Sequence, residues 1–396
     1  MLFELENFFS SHFLIMVSFS FRCHSMLILT AGLLLLGCDP LESASAGQGD
    51  TTEVASLVQD RLDEQPPGTG LVVGIVEGPD RRTLARGVAR AEGDSVNGRT
   101  VFEIGSITKT FTGLALADRV ERGAVQRGAR VAAFLPDSVD VPGQDGQSIT
   151  LEQLVTHTAG LPRLPPNQDE QSEWEDPTDP YSAYSVPELY RGLEQTTLHH
   201  SPGTEFQYSN FGGGLLGHVL ARRSDTTYRA LIRDRISARL GMEDTWVGLP
   251  EEPKQRLATG HRPNGSAAPH WHFRESMAGA GALRSSARDM MTYLAAQLGQ
   301  ASAPSPVRRA IERSHTTLYD RGDAGSITYG WPVRKQDGHT VFWHTGGTGG
   351  FRSFVGFNLE QNAGVVVLSN VAQPMKEMGL TLLGTVLRNT EGDRKG

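Results

Sequence analysis

Short runs of β-branched residues sit near both ends of this chain, and the long stretch between them carries helical periodicity instead. Gly70-Leu71-Val72-Val73-Gly74-Ile75-Val76-Glu77-Gly78 is followed, after Pro79-Asp80, by a second run from Arg82 to Ala89, a pattern that predicts a hairpin. Phe351 to Leu359 and Gly364 to Leu368 flank the polar turn Glu360-Gln361-Asn362-Ala363 and predict another. A last helix is predicted over Met375 to Leu387, with Met378, Leu382, Leu383 and Val386 on one face. In the region between the hairpins, Thr150-x-x-Gln153 and Ser286-x-x-Asp289 have the form of capping boxes. Strands at both ends with helices inserted predict an α/β (α+β) chain whose sheet is assembled from distant segments.

The core must hold this fold without covalent help. Both cysteines, Cys23 and Cys38, fall in the first tenth of the chain, so the body has neither a disulfide framework nor a cysteine zinc site. With 396 residues the chain has the length of two to three ordinary domains, and 38% hydrophobic content supplies a sizeable core. No internal repeat is visible. The net charge of −8 argues against a broad basic face, hence against nucleic acid or anionic lipid as a partner. Arg163 to Pro180 holds four prolines and six acids, which predicts an acidic surface loop.

The N-terminus has the features of an export leader. Leu27 to Leu36 is apolar except for Thr30 and Gly32, about half the length that spans a bilayer, and it runs into Gly37-Cys38. Leu-x-Gly-Cys resembles the bacterial lipobox, which implies a signal peptide over 1–37 and lipidation of Cys38. Residues 38–54 then read as a flexible tether of small and acidic residues. Glu4 and Glu6 stand where a positive n-region is expected, so translation starting at Met16 or Met26 also fits. The expectation is an exported, extracytoplasmic protein that meets the membrane only through a lipid at Cys38.

Candidate chemistry begins at Phe102-Glu103-Ile104-Gly105-Ser106-Ile107-Thr108-Lys109, which leads into a run with Ile107, Phe111, Leu114 and Ala115 on one face. Ser106 therefore starts a helix, and Lys109, three residues on, shares its face. Serine is a weak nucleophile until a base takes its proton, and lysine can do so only where burial or other cations lower its pKa. The spacing alone is common. Its companions are Tyr208-Ser209-Asn210 and His344-Thr345-Gly346-Gly347.

In that order, Ser106-x-x-Lys109, Tyr208-Ser209-Asn210 and His344-Thr345-Gly346 resemble the three motifs of the serine β-lactamase and penicillin-binding superfamily, in its class C and D-alanyl-D-alanine carboxypeptidase branch. Leu154 to Pro162 and the segment Gly281-Ala282-Leu283 through Asp289 are also similar to that branch. The resemblance implies an antiparallel sheet flanked by helices in a catalytic domain over 55–392. It implies a sheet subdomain of about 55–110 and 282–392 and a mostly helical one of about 111–281, with a cleft between them. By the same resemblance Ser106 is the acylated nucleophile, and Lys109 and Tyr208 are the proton-transfer candidates. Asn210, His344, Thr345 and Gly346 are implied to bind substrate, and the N–H groups of Ser106 and Gly347 to form the oxyanion hole. No metal or cofactor is implied.

His344 replaces the lysine most typical of β-lactamases, turning a permanent cation into a titratable group. His-Thr-Gly with Tyr-Ser-Asn is therefore closer to the D-peptidases and related esterases. The expected activity is hydrolysis of an amide, ester or β-lactam in a peptide or small-molecule substrate through an acyl-enzyme. A class C-like β-lactamase or esterase, or a non-catalytic penicillin-binding sensor, are the alternatives, and the oligomeric state is open. Three further histidine sites read as structural: His270-Trp271-His272 as surface or cleft wall, His199-His200 as a helix end, and His157 as a packed, hydrogen-bonded side chain.

Overall fold

The computed structural model describes residues 48–90, 93–168, 178–248, 254–301 and 303–395. The predicted leader, Cys38 and the middle of the acidic loop lie outside these residues. The two terminal hairpins fold into one antiparallel sheet of eight strands: β1 (Gly70–Glu77), β2 (Asp80–Gly87), β3 (Tyr319–Asp320), β4 (Ser326–Ile327), β5 (Pro332–Gln336), β6 (His339–Gly347), β7 (Arg352–Asn358) and β8 (Ala363–Ser369). Their order is β3-β4-β5-β6-β7-β8-β1-β2. The distant ends meet where β1 pairs with β8, Val73 opposite Val367 and Ile75 opposite Val365.

Both faces of this seam are buried, which explains why its strands are continuous apolar runs instead of alternating ones. Leu71, Val73, Ile75, Val365 and Val367 pack against the helices α1 (Gln48–Asp63) and α4 (Lys376–Lys395), while Val72, Val76, Val366 and Leu368 face the main core. Full burial of each such side chain contributes about 1.5–3 kcal/mol. The helix α1 begins at Gln48, inside the stretch that reads as tether, because Val54 and Val58 drive its inner face onto the sheet. The last helix runs past Leu387 to Lys395. In the first hairpin the turn is Gly78-Pro79, and the second strand starts earlier than predicted, at Asp80.

Two helices position the site. The helix α2 (Thr108–Glu121) is buried on nearly all sides, with Phe111 stacked on Tyr293 at 4.0 Å. Its first turn is pinned by polar contacts: the Thr108 hydroxyl accepts from the Leu283 N–H at 3.0 Å, and Thr112 donates to the Gly279 carbonyl at 2.9 Å. The helix α3 (Asn210–Arg223) is capped by Ser209, whose hydroxyl accepts from the Gly212 N–H at 2.9 Å.

The capping box at Thr150 and Gln153 forms as expected. At Ser286 only half of one forms: Ser286 caps the N–H of Asp289, but the Asp289 carboxylate turns to the Asp244 N–H at 2.7 Å and the Thr245 hydroxyl at 2.8 Å. The helix expected to end at His199-His200 stops at Glu194, and His199 instead contacts Gln207 at 2.7 Å. Among the described residues no helix is long and apolar enough to cross a membrane.

Candidate active site

Ser106 sits in a 3-10 turn, Gly105–Ile107, that feeds directly into α2. This turn lets Lys109 fold back on the serine. Lys109 Nζ is 3.0 Å from Ser106 Oγ, 2.9 Å from Asn210 Oδ1 and 2.7 Å from the Ala280 carbonyl oxygen. The lysine is buried, and burial, aided by the Arg163 charge, pushes its pKa well below the ordinary lysine range. A neutral amine fits this nest: two N–H bonds serve Asn210 and Ala280, and the lone pair faces the serine hydroxyl. Gly213 on α3 makes room for the lysine stem, since a Cβ there would lie 2.9 Å from Lys109 Cε.

Tyr208 closes the constellation from the helical side. Its hydroxyl hydrogen-bonds with Ser106, and its ring centroid lies 4.9 Å from Lys109 Nζ. Burial pushes the phenol up to about 12, against the Ser106 hydrogen bond and the charge of Arg163, whose guanidinium stands 5.4 Å over the same ring. His157 supports the segment from below. Its backbone takes a left-handed conformation at φ 60°, its ring packs 4.5 Å from that of Tyr208, and its Nδ1 accepts the Ser209 N–H at 3.3 Å. Asn210 splits its amide: Oδ1 accepts from Lys109, and Nδ2 donates to the Tyr181 hydroxyl at 3.2 Å.

The opposite wall is the free edge of β6. The neighbouring β5 pairs only with residues 339–342, whereas β7 pairs as far as Gly347, so residues 343–347 have a strand partner on one side only. Gly105 brings the nucleophile to this edge. Its φ is +49°, and a Cβ would fall 2.4 Å from the Gly347 nitrogen, so only glycine permits the approach that sets the backbone of Ser106 beside that of Gly347. His344 is buried, with Nδ1 2.7 Å from the Thr345 carbonyl oxygen and its ring 6.4 Å from that of Tyr208. Burial, with Lys109 adding repulsion, pushes its pKa down to about 3. The position that reads as a titratable cation is therefore a neutral imidazole at any ordinary pH. Thr345 lies on the other face of β6, with Val341 and Trp343, and borders the cleft there.

These groups line one cleft of about 1280 Å³ that holds Ser106, Tyr208, Asn210 and His344 to Gly347. Trp271 is part of its wall, next to a stacked Tyr181–Phe273 pair at 4.4 Å. The flanking histidines are engaged elsewhere: His270 Nδ1 lies 3.3 Å from Glu103 and His272 Nδ1 lies 2.7 Å from Asp179. Among the described residues no group of three His, Cys, Asp or Glu side chains is placed to hold a metal. Sequence reasoning passed over the Ala280 carbonyl, Gly213, Arg163 and Arg352. The first two lie beside segments already singled out, Gly281-Ala282-Leu283 and Tyr208-Ser209-Asn210, and so carried a positional signal.

Comparison with known proteins agrees with this architecture. The chain is 27% identical over 354 residues to the D-alanyl-D-alanine-carboxypeptidase/endopeptidase AmpH of Escherichia coli (strain K12), covering 83% of this chain and 87% of that one. It is 28% identical over 280 residues to protein flp of Staphylococcus aureus (strain MW2), a match spanning 69% of this chain and only about half, 53%, of the relative's length. The crystal structure of a β-lactamase/D-alanine carboxypeptidase from Pseudomonas syringae superposes with a TM-score of 0.75 at 22% identity, covering 86% of this chain and 99% of that one, and thereby shows the fold. The sequence pattern of the family described as Beta-lactamase matches residues 54–384. The chain belongs to the Beta-lactamase family.

Proposed function

We propose that the protein is a serine hydrolase that works through an acyl-enzyme on Ser106, with a peptide ending in D-amino acids as its first substrate class and an ester or β-lactam as its second. The observation that carries this reading is the buried Lys109 Nζ, 3.0 Å from the Ser106 hydroxyl and held by two further acceptors. Ser106 Oγ attacks the substrate carbonyl while the Lys109 amine takes its proton. The developing oxyanion would sit between the N–H groups of Ser106 and Gly347 on the free edge of β6. Tyr208, protonated with a pKa of about 12, can donate to the leaving nitrogen or oxygen. A water then cleaves the ester bond to Ser106 by the reverse sequence of proton transfers, which regenerates the enzyme.

The neutral His344 favours peptide or ester over β-lactam, because it supplies no cation beside Tyr208. Likeness to a carboxypeptidase/endopeptidase over most of both chains supports the same preference. Export with lipidation at Cys38 belongs to this proposal as well. The test labels the chain with a fluorescent penicillin and compares turnover of nitrocefin, p-nitrophenyl acetate and a D-alanyl-D-alanine peptide. Ser106→Ala should abolish labelling and lower turnover about 10³-fold or more. Label that appears but never turns over on any of the three substrates would favour a penicillin-binding sensor.

A further inference from the structure

The cleft carries more positive charge than the chemistry above uses. Six cations line it, Arg163, Arg321, Arg334, Lys335, Arg352 and Lys376, against one carboxylate, Asp323, in a chain whose net charge is −8. Among the described residues only Lys376 has a carboxylate partner, Glu377 at 3.5 Å. Two other inward-facing arginines have a counter-ion: Arg284 faces Glu103 at 3.0 Å, and Arg256 faces Asp244 at 2.7 Å. Arg352 is partly buried, yet its Nη1 donates only to the backbone carbonyls of Thr348 and Phe351, both at 2.7 Å. A half-buried charge without a counter-ion is costly, so this position reads as one half of an ion pair whose other half arrives with a ligand.

Two of these arginines flank the catalytic motifs on different walls. Arg163 lies over the ring of Tyr208, on the helical side. Arg352 lies opposite Gly347 in the β6–β7 register, on the sheet side. Resting on the acyl-enzyme reading above, we propose that the natural substrate is a dianion, with one carboxylate bound by Arg163 and another by Arg352 on either side of the carbonyl that Ser106 attacks. The outer four cations supply a field that draws such a substrate into the cleft.

Four matched thioesters test this: glutaryl or valeryl as the acyl group, combined with thioglycolate or thioglycolamide as the leaving group, with thiol release followed at low and high salt. Each carboxylate should raise kcat/KM about tenfold at low ionic strength, and the gain should shrink at 0.5 M salt. Arg163→Gln should remove the preference for one carboxylate and Arg352→Gln the preference for the other. If Arg352→Gln fails to fold, because it loosens the turn at 348–351, the wild-type salt series decides. Turnover of all four esters at equal rates overturns the dianion proposal and leaves the hydrolase reading intact. No turnover of any ester and no label on Ser106 would bring down the acyl-enzyme reading, and the substrate assignment with it.

Discussion

Replacing His344 by glutamine probes the electrostatics on which the site depends. The imidazole is 4% exposed, Nδ1 donates to the Thr345 carbonyl oxygen at 2.7 Å, and its pKa is pushed down to about 3 from 6.5. At acid pH the unfolded chain binds a proton at this residue that the folded chain refuses. Stability is therefore lost as pH falls from about 6.5 toward 3, and the loss levels off below that. A gap of roughly 3.5 units corresponds to about 5 kcal/mol in full, of which about 2 kcal/mol falls between pH 7 and 5. Glutamine keeps an N–H donor for the Thr345 carbonyl and carries no titrating group. Urea unfolding of both proteins at pH 7 and pH 5 makes the comparison, with His157, His218 and His315, all held below their usual range by burial, common to both. H344Q should lose about 2 kcal/mol less than wild type over this interval. Equal losses would refute the reasoning, since they would mean that His344 titrates freely. The acid limb of kcat/KM should survive in H344Q, because activity rises with pH as the Lys109 ammonium loses its proton, and Tyr208 at about 12 sets no limb in the working range.

Two further predictions follow from local geometry. Gly213→Ala places a methyl 2.9 Å from Lys109 Cε, so acylation of Ser106 should slow about tenfold or more while the helix, which prefers alanine by about 1 kcal/mol, keeps its melting temperature; labelling at the wild-type rate would show that the lysine stem is not confined. Cells expressing the full chain should incorporate labelled palmitate at Cys38, and a Cys38→Ala variant that still carries the label would rule out lipidation there.

The terminal hairpins were legible because one strand of each, Leu71 to Val76 and Gly364 to Leu368, is a contiguous apolar run beside a polar or glycine turn. What the pattern could not reveal is the partner of each hairpin. The pairing of Val73 with Val367 is a contact between chain ends, set by which faces need covering and not by anything local. Two-residue strands such as Ser326–Ile327 carry too few side chains for any period to register. The boundary at Gln48 was misjudged for the opposite reason: the residues before Val54 are small and polar, and they are helical only because the next turns dock on the sheet. Ser106, Lys109, Tyr208 and Asn210 stood out because their chemistry resides in short linear segments. The Ala280 carbonyl is a backbone atom and has no residue signature. Arg352 is visible as a charge, but the lack of a counter-ion among the described residues is a property of space and not of order along the chain.

The neutral imidazole at 344 and the guanidinium at 163, which has no carboxylate partner among the described residues, belong to one electrostatic arrangement. Lys109 must be able to shed a proton, which burial favours and any nearby carboxylate would oppose. Accordingly its polar contacts are an amide oxygen, a carbonyl oxygen and a hydroxyl, with no acid among them. Once the amine has taken the serine proton it becomes a buried cation, and the charge is then stabilised by those same oxygens and by the negative charge growing on the substrate oxygen nearby. A fixed cation at position 344 would hold the amine neutral but would oppose its protonation at the transition state. An uncharged ring there lowers that conflict, and Arg163 keeps a moderate positive field over Tyr208 from the rim, where solvent screens it. The same rim charge lines the cleft, where an anionic substrate would meet it. One exposed arginine can thus bias the proton transfer and select the molecule on which it acts.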